Sequence, residues 1–404
     1  MEKIEIAIIG GGASGLFLAN ALNAEKRIVI FERGERLGRK LSATGNGQGN
    51  VTNLAVESTD YFSFDGSRDK VNEIIRRHSH EELTEFFRAM GIALQADERG
   101  RVYPSGMQAS SLTDALRFFL VEKGVETRLQ SRVVDIQKNS EGLLLQVEEG
   151  AEKKINRYLA RCVVLCAGGK SAKNFGTDGS AYALAQKFGH SLTKLYPSLV
   201  QLKTDVTHTK TLKGIRINDG GLTATLPNGE KVFMKGDIIF TDYGISGDAV
   251  FRMSAYVADK IESGRVQVSI DFLPRLTEIE ILQLAERKRK AFPNLSEGEL
   301  LFGILNNQVG RAVMKRANGD LKRAASLVKA FTLTVQGSLG FDYAQVTKGG
   351  IPISETDGAL QSHFLKGLYF AGEILDVDGP CGGFNLQWAY SSAMRVATAL
   401  NTEK

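Results

Sequence analysis

Three glycines near the N-terminus have the spacing of a turn that binds the phosphates of a dinucleotide. Gly10, Gly12 and Gly15 follow an apolar run, Ile4–Ile9, that has the character of a buried β-strand, and a helical pattern begins within the turn. The N-terminus of that helix would offer free N–H groups and a partial positive charge to the phosphates. The pattern therefore predicts dinucleotide binding.

Each glycine of this turn has a separate physical task. Gly10 would permit the tight turn, Gly12 would leave room for the pyrophosphate, and Gly15 would let the helix and the strand pack closely. A second apolar run, Ile28–Phe31, ends on Glu32 at the distance where a carboxylate would accept hydrogen bonds from both ribose hydroxyls. An acid at this position disfavours a 2′-phosphate.

The length and composition indicate a large protein with several domains. At ~100–200 residues per domain, a chain of 404 residues predicts two or three of them, and the hydrophobic content of 43% suffices for large cores. No run approaches the ~20 apolar residues of a membrane helix, and no signal peptide is recognisable. Three cysteines, an odd number, are expected in a reducing compartment. We therefore expect a cytoplasmic protein without a membrane partner.

Positive charge is concentrated in one part of the chain. Residues 285–330 contain ten Lys/Arg and four Asp/Glu, a net charge of +6, whereas the whole chain carries +5. Such an asymmetry suggests an anionic partner, such as RNA, a phosphorylated substrate or NADPH, although a solvated helical surface explains it equally simply.

Three further glycine clusters follow strand-like segments, at Ala167–Gly169, Thr347–Gly350 and Ala371–Asn385. In open α/β sheets, ligands lie beyond the carboxyl ends of the strands, and glycine there lets the backbone approach them. Several strand ends that meet at one crevice suit a long ligand, so FAD is favoured over NAD. In the last cluster, the N-terminus of the predicted helix Leu386–Leu400 could stabilise negative charge on a reduced flavin.

The order of patterns predicts an α/β fold in which a Rossmann-like FAD-binding domain is split by one long insertion, which holds a β-domain and a small helical domain. Alternating segments within 220–240 predict an antiparallel sheet or barrel, and 277–330 is mainly helical, with a break that contains a capping box, Ser296 with Glu299. The predicted divisions are residues 1–189 and 346–404 for the FAD-binding domain, 190–276 and the return strand 331–345 for the β-domain, and 277–330 for a small basic helical domain.

Several longer motifs occur in order across nearly the whole chain: GRKLSATGNGQGNVTN, LYPSLVQL, FTDYGISGDAVF, VTKGGI and GLYFAGEILDVDGPCGGFNLQWA. With them, the chain resembles the bacterial three-domain flavoproteins of the BaiN/RdsA type, NAD(P)/FAD-dependent oxidoreductases that are also called aminoacetone oxidase-like. The resemblance implies redox chemistry at C–C or C–N bonds, including the reduction of steroid acyl derivatives, amine oxidation and the reduction of uridine in ribosomal RNA.

The resemblance also implies which residues contact FAD. Gly383, Phe384 and Asn385 would lie at the isoalloxazine, and Gly372 and Glu373 at the ribityl chain. The remaining expected contacts, from the ADP half through the pyrophosphate to the adenine and ribose, are Gly10, Gly12, Ala13, Ser14, Gly15, Glu32, Arg33, Arg39, Lys40, Thr44, Gly45, Asn46, Val134, Ala167 and Gly168. One departure from the family pattern stands out, since Gln48-Gly49 precedes Asn50 where an Arg-Cys pair is common.

Two side chains are candidates for catalysis beside the flavin, which itself accepts or delivers the hydride. Tyr243 lies in a glycine-flanked loop and could exchange a proton, and Cys381 lies inside the flavin-side turn; each could equally serve only in packing. Asp376 and Asp378 would orient the same turn or act as acid or base.

Two separate strands are predicted in the middle of the FAD-binding domain, Lys153–Tyr158 and Cys162–Cys166. In the second strand, both cysteines would lie on one buried face.

No metal site is expected. The five histidines lack ligand spacing, and His78 and His80 would share one helix, on which residues i and i+2 diverge.

Three hypotheses follow from the sequence. The leading one is a FAD-dependent oxidoreductase that acts on a small or medium organic substrate between the flavin and the inserted domains. The second is a flavin-dependent reductase of uridine in ribosomal RNA that binds phosphates through residues 285–330. The third is a flavin-binding protein without catalysis. With only one nucleotide turn in the chain, NAD(P)H would bind transiently, or the substrate itself would reduce the flavin.

Overall fold

The structure is a computed structural model that describes residues 1–56 and 61–402. Its helices are α1 (Ala13–Ala21), α2 (Arg68–Arg77), α3 (His80–Ala89), α4 (Ala109–Glu122), α5 (Tyr182–Gln186), α6 (Asp248–Val257), α7 (Glu278–Ala291), α8 (Asn307–Ala317), α9 (Leu321–Lys329) and α10 (Phe384–Thr402). Its strands are β1 (Glu2–Ile9), β2 (Ile28–Phe31), β3 (Thr52–Asn53), β4 (Leu94–Ala96), β5 (Arg101–Pro104), β6 (Glu126–Arg128), β7 (Ser131–Asn139), β8 (Gly142–Glu149), β9 (Lys154–Leu165), β10 (Tyr196–Ser198), β11 (Leu202–Thr204), β12 (Arg216–Thr225), β13 (Lys231–Phe240), β14 (Gly244–Ser246), β15 (Gln267–Asp271), β16 (Phe331–Ser338), β17 (Val346–Lys348) and β18 (Leu368–Phe370).

The chain divides into two compact units. Unit 1 consists of two segments, Met1–Tyr196 and Val346–Lys404, and unit 2 is Pro197–Gln345. Each unit has its own hydrophobic core. The predicted fold class, an α/β Rossmann-like domain together with an antiparallel barrel and helices, is confirmed.

A seven-stranded sheet forms the centre of unit 1. Its order is β6-β2-β1-β9-β8-β7, and β18 also pairs with β9. The strands β6, β2, β1, β9 and β18 are mutually parallel along this order, whereas β8 and β7 continue it in antiparallel pairing. β2 and the second half of β1, Ile6–Ile9, are wholly apolar because both faces of a parallel sheet are covered.

The long strand β9 joins the two parts of this sheet. Sequence reasoning divided it into Lys153–Tyr158 and a separate strand at Cys162–Cys166, which is wrong, since β9 runs without a break from Lys154 to Leu165. One edge of β9 pairs with β1. The other edge pairs with β8 through Ala160 and then with β18 from Val163 onward. The polar first half resembled a hairpin strand and the apolar second half a buried one, because the two halves have different neighbours.

Helices α1 and α10 pack against each other although their sequences are more than 360 residues apart. Phe17 of α1 meets Tyr390 of α10 edge to face, with 5.3 Å between the ring centroids, and both side chains are buried. Burial of one such aromatic side chain stabilises the fold by about 1.5–3 kcal/mol, and the ring pair adds ~0.5–1.5 kcal/mol. This contact holds the C-terminal segment of unit 1 against its first βα turn.

Unit 2 contains a closed antiparallel barrel of six strands, in the order β11-β14-β13-β12-β15-β16. Closure is visible at Leu202 of β11, which pairs with Ile245 of β14 on one side and with Ser338 of β16 on the other. The helices α7, α8 and α9 follow β15. The predicted break between the first two of them has the expected capping box, in which Ser296 and Glu299 hydrogen-bond reciprocally.

The placement of the two neighbouring histidines differs from the prediction of one helix. His78 ends α2, and His80 begins α3, because Ser79 caps the second helix by accepting a hydrogen bond from the N–H of Glu82. Among residues 1–56 and 61–402, no helix has the length and apolarity to cross a membrane.

Candidate functional site

The carboxyl ends of β1, β2, β9 and β18 lie at one edge of the unit 1 sheet, since these strands are parallel. Gly10 follows β1 with a φ of 103°, and a Cβ atom there would lie 2.7 Å from the Cα of Ala167, just beyond β9. A Cβ atom on Gly15 would lie 2.1 Å from the carbonyl oxygen of Gly10. Only glycine fits either position, so the turn closes tightly against the neighbouring strand end.

Gly12 differs from these two glycines, because a Cβ atom on it would meet no protein atom within 4 Å. It is the N-cap of α1, and Ala13 and Ser14 form the first residues of that helix. The N–H groups of a first helical turn lack partners within their own helix, so they are available to an anion. The space at Gly12 is the opening through which a pyrophosphate could approach them.

Glu32 lies directly after β2, and its carboxylate accepts hydrogen bonds from two backbone N–H groups. Its Oε2 accepts from the N–H of Gly11 at 2.8 Å, and its Oε1 accepts from the N–H of Gly34 at 2.7 Å. A carboxylate has about four lone-pair positions, so both oxygens keep the capacity to accept from ribose hydroxyls. The two backbone bonds fix the carboxylate in one orientation.

Arg33 has partners in the loop that follows β9. Its guanidinium donates to the Oδ2 of Asp178 at 2.7 Å and to the carbonyl of Gly176. Burial opposes ionisation of Asp178, but hydrogen bonds from Ser180 and Arg33 hold the pKa of the Asp178 carboxyl at about 2. The structure thus uses Arg33 to position this loop.

The glycine-rich loop after β2 brings a lysine to the C-terminal segment of unit 1. Lys40 Nζ donates to Glu373 Oε2 at 2.7 Å, and both side chains are largely buried. Arg39 donates to the carbonyl of Asn174 at 2.8 Å. The structure therefore brings together Lys40 and Glu373, which the sequence predicted for the pyrophosphate side and the ribityl side of FAD.

Thr44, Gly45 and Asn46 form an irregular segment of this loop. The Thr44 hydroxyl donates to the carbonyl of Leu41 at 2.7 Å, and Gly45 and Asn46 both have positive φ angles, 57° and 54°. Gly45 and Asn46 are exposed. Their left-handed conformation turns the chain back toward the sheet.

The departure from the family pattern at Gly49 has a steric reason. Gly49 has a φ of 82°, and a Cβ atom on it would lie 2.9 Å from the Cα of Ala109 and 3.0 Å from Leu112. Helix α4 therefore packs where a side chain would begin. Asn50 is buried and donates to the carbonyls of Thr52 and Val102.

The turn after β18 approaches the first helix of the chain. Gly372 has a φ of 80°, and a Cβ atom on it would lie 2.7 Å from the Oγ of Ser14. The N–H of Gly372 donates to the Oγ of Ser392 at 2.9 Å. After β9, Ala167 and Gly168 are half-buried at the same edge of the sheet. The structure thus gathers Gly10, Ser14, Ala167 and Gly372.

Val134, the predicted contact for the adenine, lies on the antiparallel side of the sheet. The register of β7 with β8 shifts between Val133 and Asp135, which makes Val134 the extra residue of a β-bulge. A bulge leaves the extra residue outside the regular ladder and redirects its backbone. This local geometry is compatible with the predicted backbone contact.

The predicted flavin-side turn is tied to two other segments. Gly383 has a φ of 100°, and a Cβ atom there would lie 2.3 Å from the carbonyl oxygen of Thr52 in β3. Asn385 binds the turn through its side chain, which accepts from the N–H of Gly379 at 2.9 Å and donates to its carbonyl at 2.7 Å. Phe384 and Asn385 were predicted to precede the helix, but α10 already begins at Phe384.

The two predicted catalytic side chains belong to different units. Cys381 is half-buried in the flavin-side turn of unit 1. Tyr243 lies between β13 and β14 of unit 2, and burial raises the pKa of its phenol, although a hydrogen bond with Thr241 opposes the shift. A raised pKa makes a phenol a weaker acid, so it keeps its proton at neutral pH and donates it only to a strongly basic atom.

The remaining cysteines are buried. Cys162 lies in β9 and Cys166 directly follows this strand, and burial raises the pKa of the Cys166 thiol to about 12. A thiol in this state does not act as a nucleophile. In the described part of the chain, no three residues among His, Cys, Asp and Glu are grouped so that they could hold a metal ion.

Sequence reasoning missed residues that hold the site together. Thr347 accepts on its Oγ1 from the N–H groups of Lys170 and Ser171, at 2.8 and 2.9 Å, and its own N–H donates to Glu373 Oε1. Asn53 donates to the carbonyl of Gly382 at 3.1 Å. Both lie within family motifs, VTKGGI and NVTN, but a polar residue in such a motif gives no sign of its long-range partner.

Taken together, the residues fit a long dinucleotide whose ADP moiety lies at one place on the sheet edge and whose other end lies further along it. The opening at Gly12, the fixed carboxylate of Glu32 and the helix N-terminus of α1 suit an ADP moiety. The Lys40–Glu373 pair and the glycine turns after β9 and β18 continue along the same sheet edge. A FAD in this position would be held mainly by backbone groups.

Comparison with known proteins agrees with this site. Residues 4–399 match the family described as HI0933-like protein Rossmann domain. The chain is 33% identical to the 3-dehydro-bile acid delta(4,6)-reductase of Clostridium scindens, over 96% of each chain, and 28% identical to the ribosomal RNA dihydrouridine synthase of Escherichia coli, over 100% of each. Its fold is similar to that of the 3-ketosteroid delta1-dehydrogenase of Sterolibacterium denitrificans, with 13% identity, a TM-score of 0.54 and full coverage of both chains.

The chain belongs to the HI0933-like Rossmann family. The predicted resemblance to flavoproteins of the BaiN/RdsA type is confirmed, and so is the predicted class of enzyme, a FAD-dependent oxidoreductase.

The difference between Gly12 and Gly15 allows a sharp test of the nucleotide turn. We expect Gly12→Ala to fold with a loss below ~1 kcal/mol, because its Cβ atom meets no protein atom, and to bind FAD at least ~10-fold more weakly. The measurements are thermal unfolding of the apoprotein and titration with FAD.

The matched control is Gly15→Ala, whose Cβ atom would clash with the Gly10 carbonyl, so it should unfold at a clearly lower temperature. Unchanged FAD affinity in Gly12→Ala would show that no phosphate approaches this residue.

Proposed function

We propose that this FAD-dependent oxidoreductase transfers a hydride at a C–C bond of an organic substrate. The observation that carries the proposal is the meeting of the turns at Gly10, Ala167 and Gly372 at one sheet edge, which suits the length of FAD. The names of two relatives support the type of bond. A delta(4,6)-reductase and a dihydrouridine synthase both add hydrogen to a double bond, whereas neither name describes a C–N bond.

In this proposal, the protein positions the reactants, and the flavin supplies the hydride chemistry. Glu32 and the first turn of α1 would hold the ADP half of FAD. The Lys40–Glu373 pair would fix the protein segment that contacts the ribityl chain. The N-terminus of α10 stabilises negative charge at the flavin ring. NAD(P)H is the proposed transient reductant, which binds without a nucleotide domain of its own.

Tyr243 is the proposed proton donor to the substrate. General acids of this kind contribute roughly 10²–10⁴-fold to a rate. A phenol whose pKa is raised by burial keeps its proton until the substrate carbon becomes basic. Cys381 is the alternative donor, from the flavin-side turn.

The test begins with the flavin absorbance of the purified protein and its anaerobic bleaching by NADH and by NADPH. The reduced protein is then mixed with an α,β-unsaturated ketosteroid, with free uridine or with ribosomal RNA. We expect one of these acceptors to reoxidise the flavin, and Tyr243→Phe to slow that reoxidation by about 100-fold without altering the bleaching.

The control variant is Tyr343→Phe, which removes an exposed phenol of the same unit and should react like the wild type. Cys381→Ser tests the alternative proton donor, because it should slow the reoxidation only if Cys381 supplies the proton. A protein that takes up no flavin would disprove the proposal, and equal rates for the two tyrosine variants would remove Tyr243 from it.

RNA is a second candidate substrate, because the basic region of unit 2 has many cations without protein partners. Three of the ten are engaged: Arg311 stacks over Phe302, Arg316 donates to Thr332, and Lys329 pairs with Asp271. The others have no partner among residues 1–56 and 61–402; they are Arg287, Lys288, Arg289, Lys290, Lys315, Lys322 and Arg323.

Four of these unpartnered cations are consecutive at the C-terminal end of α7, within a helix that ends at Ala291. They also interact favourably with the negative end of the helix, which explains their position without RNA. An RNA partner would add counterion release and hence a steep dependence of affinity on salt.

A variant of α7 separates these explanations. If the basic region binds RNA, changing Arg287–Lys290 to alanine should weaken RNA binding, because fewer phosphates are neutralised. The slope of log K against log salt should fall by about one for each phosphate that the variant no longer neutralises. Filter binding at several salt concentrations measures both quantities.

The control removes four exposed cations of unit 1, namely Arg76, Arg132, Lys138 and Lys366. Equal losses of affinity in the two variants would mean that net charge alone matters, and salt-independent binding would exclude the RNA candidate.

A further inference from the structure

A buried pair of polar groups lies behind the C-terminal turn and is not explained by cofactor binding. Asp376 is 1% exposed, and its Oδ1 has no hydrogen-bond partner among the described residues. Tyr182 of α5 is 3% exposed, and its hydroxyl likewise lacks a partner there. A buried polar atom without a partner costs about 1–3 kcal/mol, so each of these groups calls for an explanation.

The two groups lie within electrostatic reach of each other. Burial raises the pKa of the Tyr182 phenol, and the negative charges of Glu373 and Asp376 raise it further.

Asp376 is held firmly by its other oxygen. Its Oδ2 accepts from the N–H of Phe64 at 2.9 Å, and its backbone N–H donates to the carbonyl of Ile351 at 2.8 Å. A role in packing the turn needs only these bonds. The unpartnered Oδ1 is therefore available for another task.

The charges around Asp376 come from three elements. Asp65 lies on the segment that contains Phe64, and Lys348 ends β17, where its ammonium lies 4.6 Å from the Phe62 ring centroid. Tyr182 of α5 is near enough for the charge of Asp376 to raise the pKa of its phenol. Burial, the largest cause, and the charge of Asp65 raise the pKa of Asp376 to about 7. The backbone hydrogen bonds of Phe64 and Asp65 and the charge of Lys348 oppose this shift. The carboxyl is thus poised to change its charge at neutral pH.

The position along the chain connects this carboxyl to the redox centre. Asp376 follows Glu373, the proposed ribityl contact, by three residues, and it precedes Gly379, where the proposed flavin-side turn begins, by three. Negative charge that develops at the ring would therefore act on Asp376 through the protein interior, where charges interact more strongly than in water.

We propose that Asp376 takes up one proton when the bound flavin is reduced. The proposal rests on the proposed binding of FAD. A hydride donor transfers two electrons and one proton to the flavin, which adds one negative charge. A buffer acid in the solution then loses one proton and becomes its conjugate base, and this proton forms an O–H bond with the Asp376 carboxylate and balances that charge. Asp376 thus compensates the negative charge of the reduced flavin from a distance and does not contact the substrate.

The test is the flavin midpoint potential as a function of pH, measured in the FAD-loaded protein with a chemical reductant and a reference dye. One proton taken up with two electrons changes the potential by about 30 mV per pH unit. In the wild type we expect the potential to fall more steeply with pH across the neutral range, by about 30 mV per pH unit, because one additional proton is taken up. Asp376→Asn should lose this additional slope, and Asp69→Asn, which removes an exposed carboxylate of α2, should keep it.

Two further variants keep the test decisive if Asp376→Asn fails to bind FAD. Lys348→Met removes a positive charge that lowers the pKa of Asp376, so it should move the steep region to higher pH. Asp65→Asn removes a negative charge that raises this pKa, so it should move the steep region to lower pH. An unchanged profile in both variants, or a steep region that persists in Asp376→Asn, would overturn the proposal. Absence of any flavin in the wild type would instead contradict the proposed function itself.

Discussion

The close approach of backbones at the ends of three parallel strands is the constraint on which the site depends. Gly10 lies against the turn after β9, and Gly372 lies against Ser14, at distances that admit no side chain. The sheet pairing of β1, β9 and β18 fixes these approaches, and the packing of α1 on α10 supports them. A ligand that lies along this edge meets backbone groups from segments hundreds of residues apart.

Electrostatics adds specificity to this backbone frame. The Lys40–Glu373 pair and the carboxylate of Glu32 are held in place by their hydrogen bonds, whereas burial raises the pKa of Asp376 to about 7, so its charge changes near neutral pH. Fixed groups suit the binding of a cofactor whose structure is constant. A titratable group suits a step in which the cofactor changes its charge, so the two kinds of carboxylate serve different purposes.

Sequence reasoning was strong where the physics is local. The turn at Gly10, the alternating strands of unit 2 and the capping box of Ser296 with Glu299 all depend on neighbours within a few residues, and the confirmed fold class follows from them. Long-range contacts were not predictable. The single strand β9 has two different neighbours, and the partners of Thr347 and Asn53 lie far along the chain, so no local pattern indicated them.

The central claim is that segments far apart in the sequence form one binding site for FAD. Hydrogen–deuterium exchange of the protein with and without FAD tests this claim most directly. We predict that FAD protects amides in four segments together, around Gly10–Ser14, after β9 at Ala167, after β18 at Gly372, and at the start of α10. Protection confined to the first segment would show that only a nucleotide end is bound, and it would contradict the account.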